Sequence, residues 1–364
     1  ATFVAAPGAA RILKGMNPGS PKHCGLEIVG GRHLPKDWQG NMITSDFRAH
    51  RVCRFVVNES PTGSGYVSKE MPELVKTTHV AFRPIDAKLG PDGAIYIADW
   101  YNPIIQHGEV DFRDSRRDHV HGRIWRVSAK GRDVAPRAKL EGANVSELVK
   151  QLASLEPFAR TQAKRVLKEQ GAAKVLPALA EWLAGLDPKD AEYDHRRLEA
   201  LWTHQSVDHV EPGLLKELLR SPDPRVRAAA TRVLYHWWPR VPDAVPLLAV
   251  QVEDDHPRVR LEAVNALAQM HTLEAAALAA RALDRPLDEN LDFALWRAMR
   301  SLQDVWLPAV TAGKFDFDGH PQRLLFALQA VGSPGVVGPL LALVREGKIP
   351  AEREDAVLAL VGTL

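Results

Sequence analysis

The sequence predicts two fused modules, the last blades of a β-propeller followed by an α-solenoid of paired helices. Three observations predict it. A helix-opening pattern recurs through the second half at steps of 29 to 37 residues. The first half carries two copies of a short-strand pattern that start 53 residues apart. No stretch approaches ~18 uninterrupted apolar residues, so neither part contains a membrane-spanning helix. The expected boundaries are 1–135 for the incomplete propeller, 136–147 for a linker, and 148–364 for a solenoid of about seven units, the last one truncated.

In the first module, Gly40-Asn41-Met42-Ile43-Thr44-Ser45-Asp46-Phe47 matches the stretch from Gly93 to Trp100, and both end in Asp-aromatic. His50-Arg51-Val52-Cys53-Arg54-Phe55 then matches the stretch from His121 to Arg126. Gly90-Pro91-Asp92-Gly93 is a turn, and the β-branched and aromatic run from Ala94 to Asp99 after it is a strand. Gly122 to Val127 alternates in period two and predicts another strand. Two to three blades fit into the module, whereas ~4–8 close a propeller. Open blades leave unpaired edges, so the propeller's start is expected to lie outside this sequence. The opening residues, Ala1-Thr2-Phe3-Val4, lack the basic and apolar segments of a secretory signal, and a mature or truncated chain is expected.

In the second module, Asp223-Pro224-Arg225-Val226-Arg227-Ala228-Ala229-Ala230 recurs as His256-Pro257-Arg258-Val259-Arg260-Leu261-Glu262-Ala263. Weaker copies start near Pro157, Asp194, Asn290, Pro321 and Pro350. Proline in the first turn of a helix loses no hydrogen bond, and Asp223 is placed to cap. One such helix pair cannot bury its apolar face alone, whereas stacked pairs share a continuous core. The units resemble HEAT repeats, with Asp223 to Ala230 carrying the first-helix signature. Their period is shorter than the ~40–47 residues usual for that class. The recurring Arg160, Arg197, Arg227, Arg260 and Arg353 read as a ladder pairing with neighbouring acids. Trp182, Trp202, Trp237, Trp238, Trp296 and Trp306 read as helix packing.

Charge and cysteine content exclude some functions. The formal net charge is +2, with an excess of Lys and Arg in the first module and of Asp and Glu in the second. Neither is basic enough to predict nucleic-acid binding. The two cysteines, Cys24 and Cys53, could pair in an oxidising compartment, but they do not make a disulfide scaffold.

Chemistry concentrates in residues 101–121, an insertion that the first blade copy lacks. It holds His107, Arg113, Arg116, Arg117, Asp118, His119 and His121. In a blade this loop shares a mouth with the segment carrying His79 and Arg83. Asp99, Trp100, Asn102 and Arg123 flank it. Several arginines can hold a planar anion, and a histidine beside a hydroxyl can act as a general base. On that reading His79, His107 and His119 are catalytic candidates and the others bind substrate or cofactor. On a strand, His119 and His121 would point to one side as two metal ligands, but no third ligand is evident and no metal site is assigned. The competing reading is a salt-bridged structural loop.

With these residues in view, the first module resembles the planctomycete-type membrane-bound dehydrogenases, also called the haem-binding C-x-x-C-H proteins. The matching stretches include Trp38-Gln39-Gly40-Asn41, Asp46 to Val52, Thr78 to Pro84, Gly90 to Ile105, and Arg116 to Arg126. The resemblance implies an exported or periplasmic protein. It implies a propeller related to quinone-dependent sugar dehydrogenases, with a quinone cofactor and calcium, acting on a small sugar or alcohol. It also implies electron transfer to a C-terminal haem module, but Cys-x-x-Cys-His is absent from this sequence, so haem is not assigned to it. The alternative is a non-catalytic scaffold whose solenoid binds a protein partner.

Overall fold

A computed structural model describes residues 23–61, 63–106 and 109–363. Two small antiparallel sheets come first. Strands β1 (His23–Ile28), β2 (Met42–Asp46), β3 (Arg51–Glu59) and β4 (Tyr66–Lys76) form one sheet in chain order. Strands β5 (Pro84–Leu89), β6 (Ile95–Asp99) and β7 (Arg123–Val127) form the other, also in chain order. Neither sheet closes on itself. Ile43 and Val52 of the first pack against Ala87, Leu89, Ile95 and Ile97 of the second, joined by Val29, Leu34 and Phe82.

The turn before β6 forms as its residues predict. Gly90 N–H and the Ala94 carbonyl close it at 2.8 Å, with Gly93 at a φ of 76°. Strand β4 has no clear alternation in its sequence. Its Pro72 is tolerated because β4 lies at the sheet edge, opposite a shift in register between Val52 and Arg54. The two cysteines are free. Cys24 is paired in register with Ser45 and Cys53 with Thr44, so they point to opposite faces of the sheet.

Fourteen α-helices follow among the described residues: α1 (Val145–Lys150), α2 (Pro157–Gln170), α3 (Ala172–Ala184), α4 (Tyr193–Ser206), α5 (Pro212–Leu218), α6 (Pro224–Trp237), α7 (Ala244–Gln251), α8 (Pro257–Leu267), α9 (Leu273–Ala280), α10 (Glu289–Ser301), α11 (Gln303–Thr311), α12 (Pro321–Val331), α13 (Val337–Arg345) and α14 (Ala351–Thr363). None is long and apolar enough to cross a membrane. Helices α2, α4, α6, α8, α10 and α12 lie side by side. Proline opens α2, α6, α8 and α12. Asp223 caps α6 by accepting from Arg225 N–H at 2.8 Å. One apolar core runs from Leu148 to Val357.

The arginine ladder has a repeating geometry. Arg160 donates to the Ser154 carbonyl at 2.6 Å, Arg227 to Ser221 at 2.9 Å and Arg260 to Asp254 at 2.8 Å. Each guanidinium thus closes the turn six residues before it, and two also reach a carboxylate beyond their own unit. Arg160 meets Glu199 at 3.0 Å, and Arg227 grips Asp254 at 2.7 and 2.9 Å. Arg260 reaches the Pro286 carbonyl instead. Arg197 pairs with Asp194 and Glu217. Arg323 instead reaches back to Asp284 at 2.6 Å. Arg353, placed in the ladder from sequence, is exposed.

His204 on α4 is buried, and its ring lies 5.3 Å from that of His209. Burial pushes its pKa down to about 4. The unfolded chain therefore takes up a proton near pH 6.5 that the folded one refuses, and stability falls as pH drops from there toward 4. The expected loss between pH 7 and pH 4 is about 2 kcal/mol. His204→Gln should flatten that part of the urea-denaturation profile, and an unchanged profile would refute the assignment.

Candidate functional site

The polar loop predicted from sequence folds against the entry to β5, and most of its charged groups hold the loop together. Arg83 is buried and donates to the carbonyls of Asn102 and Phe47 at 2.9 Å and of Pro103 at 3.0 Å. Arg117 is also buried and donates to the carbonyls of Gln106, Val110 and Asp111. The Asp99 carboxylate accepts from Arg83 N–H at 2.8 Å, Tyr101 N–H at 2.9 Å and the Trp125 indole at 3.0 Å. Asn102 donates to the Asp118 carbonyl and accepts from Ile104 N–H. Arg116 pairs with Asp114 at 2.8 Å.

Asp118 accepts from Val120 N–H, His121 N–H and the His121 ring. This turn delays the strand to Arg123. His119 and His121 therefore lie in a loop, and the strand geometry expected to align them is absent. His79 stacks on Tyr101 at 5.9 Å, His121 meets the same ring edge-on at 6.2 Å, and Arg123 lies 3.6 Å over it. Trp100, Arg113 and His119 are exposed. His107 lies outside the described residues. The oxygens of Asp99 and the guanidiniums of Arg83 and Arg117 are taken up by protein groups. Among the described residues, Asp99, Arg83 and Arg117 are thus committed to holding the loop together.

A different site lies where the β3–β4 hairpin meets the solenoid. The Ser64 hydroxyl donates to the Asp288 carboxylate at 2.9 Å. That carboxylate also caps α10 by accepting from Leu291 N–H at 2.8 Å. Arg258 reaches the Ser64 carbonyl at 3.3 Å and lies 5.8 Å over the Tyr66 ring. Glycine is required at the hairpin tip by close approach. A Cβ on Gly63 would fall 2.2 Å from Asp288 Oδ2, and one on Gly65 would fall 2.3 Å from Asn290 Nδ2.

A second attachment joins the segment after β1 to the start of α2. Arg32 pairs with Glu156 at 2.8 Å, and a Cβ on Gly30 would fall 2.6 Å from Pro157. His33 locks the segment after β7 by taking Ala129 N–H at 3.0 Å and contacting the Asp133 carbonyl at 2.9 Å.

Between and beyond these attachments runs a trough along α4, α6, α8 and α10. It comprises three grooves of about 770, 190 and 360 Å³. The first two share Arg225 and Ala229, and the second and third share Arg232 and Glu262. Glu59, Ser64 and Tyr66 of the hairpin form part of the wall. Tyr193 and Trp202 line the first groove beside the carboxylates of Asp190, Glu192, Asp194 and Asp223. Glu262 is buried and held by Arg258 at 2.9 Å, with Arg232 at 3.8 Å. Arg225, Arg232 and Arg297 are exposed along the trough. Sequence reasoning took Trp202 for packing and did not find the trough. Its only local signal was the run of arginines on the first helices.

Comparisons with known proteins match two separate stretches of the chain. Residues 211–300 match HEAT repeats. The helical part is a HEAT solenoid over that stretch. Residues 15–131 match a domain of unknown function, DUF7133. None of the curated proteins compared with the chain matches it.

Proposed function

We propose that this protein is an interaction scaffold whose HEAT solenoid receives an extended, carboxylate-bearing polypeptide segment in the trough. The observation that carries this reading is the continuity of the three grooves across α4, α6, α8 and α10, with exposed arginines along them. HEAT solenoids bind partners along such extended surfaces. Arg232 and Arg297 supply donors for acidic side chains, Arg225 is held by Asp223 at 2.9 Å, and the Tyr193 and Trp202 rings supply an aromatic anchor. The double variant Arg232→Glu/Arg297→Glu changes exposed groups and should leave the melting temperature unchanged. Its affinity for immobilised acidic peptides should fall about tenfold, the size expected when partly exposed pairs become repulsive. Equal capture by wild type and variant would overturn the reading.

In the finer architecture that we propose, the two sheets are neighbouring blades of a propeller. Their shared antiparallel order and face-to-face core support this. The oxidoreductase reading, with its exported location, a sugar or alcohol substrate and haem as acceptor, rests on the sequence resemblance alone. Dye reduction with polyols in the presence of quinone and calcium tests the activity, and cell fractionation tests the location. The inward-facing Arg83 and Arg117 favour the scaffold.

A further inference from the structure

The first sheet carries a cluster that neither the trough nor the polar loop uses. Strand register places His23 opposite Asp46 and Asp46 opposite Arg51, with Cys53 two residues further along β3. Side chains alternate along a strand, so His23, Asp46 and Cys53 share one face. One donor atom from each lies within 4.8 Å of the others. Asp46 and Cys53 are fully buried. Both ring nitrogens of His23 are also buried, and among the described residues neither has a hydrogen-bond partner. A neutral imidazole always carries one donor and one acceptor, and leaving both unmet in a dry site is costly. That cost points to a missing ligand between the ring, the thiol and the carboxylate.

We propose that His23, Asp46 and Cys53 bind a divalent cation of the zinc class. A thiolate and an imidazole select a borderline-soft ion over magnesium or calcium. Thiolate and carboxylate together carry the two negative charges that such an ion neutralises. Tetrahedral coordination leaves a fourth position for water. The outer shell is in place, because Asp46 accepts from Ala49 N–H at 3.1 Å and from Arg51 Nε at 3.2 Å, which fixes the carboxylate.

A cysteine–histidine nucleophile is the competing use of the same residues. It is disfavoured because Cys53 is wholly shielded from solvent. A bound cation would displace the thiol proton directly. Cys24 is not a ligand, since its thiol faces the Pro84 carbonyl at 3.5 Å on the other side of the sheet.

Cobalt titration of the chelator-treated full chain tests the site. Wild type should develop a thiolate-to-cobalt charge-transfer band saturating at one equivalent, and zinc should abolish it. Cys53→Ser should lose the band, and His23→Gln should weaken binding by about 100-fold or more. Cys24→Ser should retain it. Zinc should raise the melting temperature of wild type and not that of Cys53→Ser. If Cys53→Ser does not fold, the wild-type band and its retention in Cys24→Ser decide the matter. A folded wild type with no charge-transfer band, or a band lost with Cys24 rather than Cys53, would overturn the proposal.

Discussion

Arg83→Ala should destabilise the β-module by about 3 kcal/mol, because it strips one buried and two partly buried carbonyls of their donor at once. Burial is also what lowers the pKa of this guanidinium, and among the described residues its head is held by carbonyls. Its Nε and Nη atoms serve the consecutive carbonyls of Asn102 and Pro103 and that of Phe47, and so tie two separate loops together. Lysine cannot replace it, since one ammonium cannot span that fork. Urea denaturation followed by the fluorescence of Trp38, Trp100 and Trp125 measures the loss. A loss below about 1 kcal/mol would mean that the carbonyls are rehydrated and that Arg83 is dispensable to the fold.

Glu199→Ala should cost about 2–4 kcal/mol in the first repeats of the solenoid. The buried carboxylate gathers Arg160 at 3.0 Å, Lys164, and His195 at 3.6 Å. Burial alone would raise its pKa, but His195, Lys164 and Arg160 outweigh it and hold the group below the usual carboxylate range. That stabilisation is present above about pH 4.3 and is lost as pH falls through the depressed pKa. His195 has the opposite sign. Its bond to Glu199 raises its pKa, so its share is complete below about pH 6.5 and fades as pH rises through the raised value. The difference between wild type and Glu199→Ala should therefore be widest near pH 5–6. Glu199→Gln should lose less and should show no acid limb. Equal stability of wild type and Glu199→Ala across pH 4–7 would refute the network.

The solenoid was legible because its signals are local. Proline at the first turn, a capping residue before it and apolar residues at helical spacing all act within one helix, and the first helix of each unit starts within one residue of its predicted position. The site was less legible because its contacts are not local. Ser64 and Asp288 are 224 residues apart, and neither belongs to a recognisable motif. His23, Asp46 and Cys53 share a face only through strand register, which includes a bulge at Gly25. Loop 101–121 was read for its reactive groups. Which arginines would turn inward depended on backbone carbonyls that no residue pattern announces. His119-x-His121 misled because Asp118 captures the amides that a strand would have needed.

The two attachments of the β-module have a mechanical consequence. One clasps the start of α2 and the other the starts of α8 and α10, so the sheets act as a splint along the intervening rows of helices. Stacked helix pairs touch only their neighbours and normally flex like a spring. Here two attachments resist bending between α2 and α10, and the described contacts place no such brace on the helices from α12 onward. Whatever enters the trough meets a rigid jaw, and only the far end of the stack can adjust its curvature to fit.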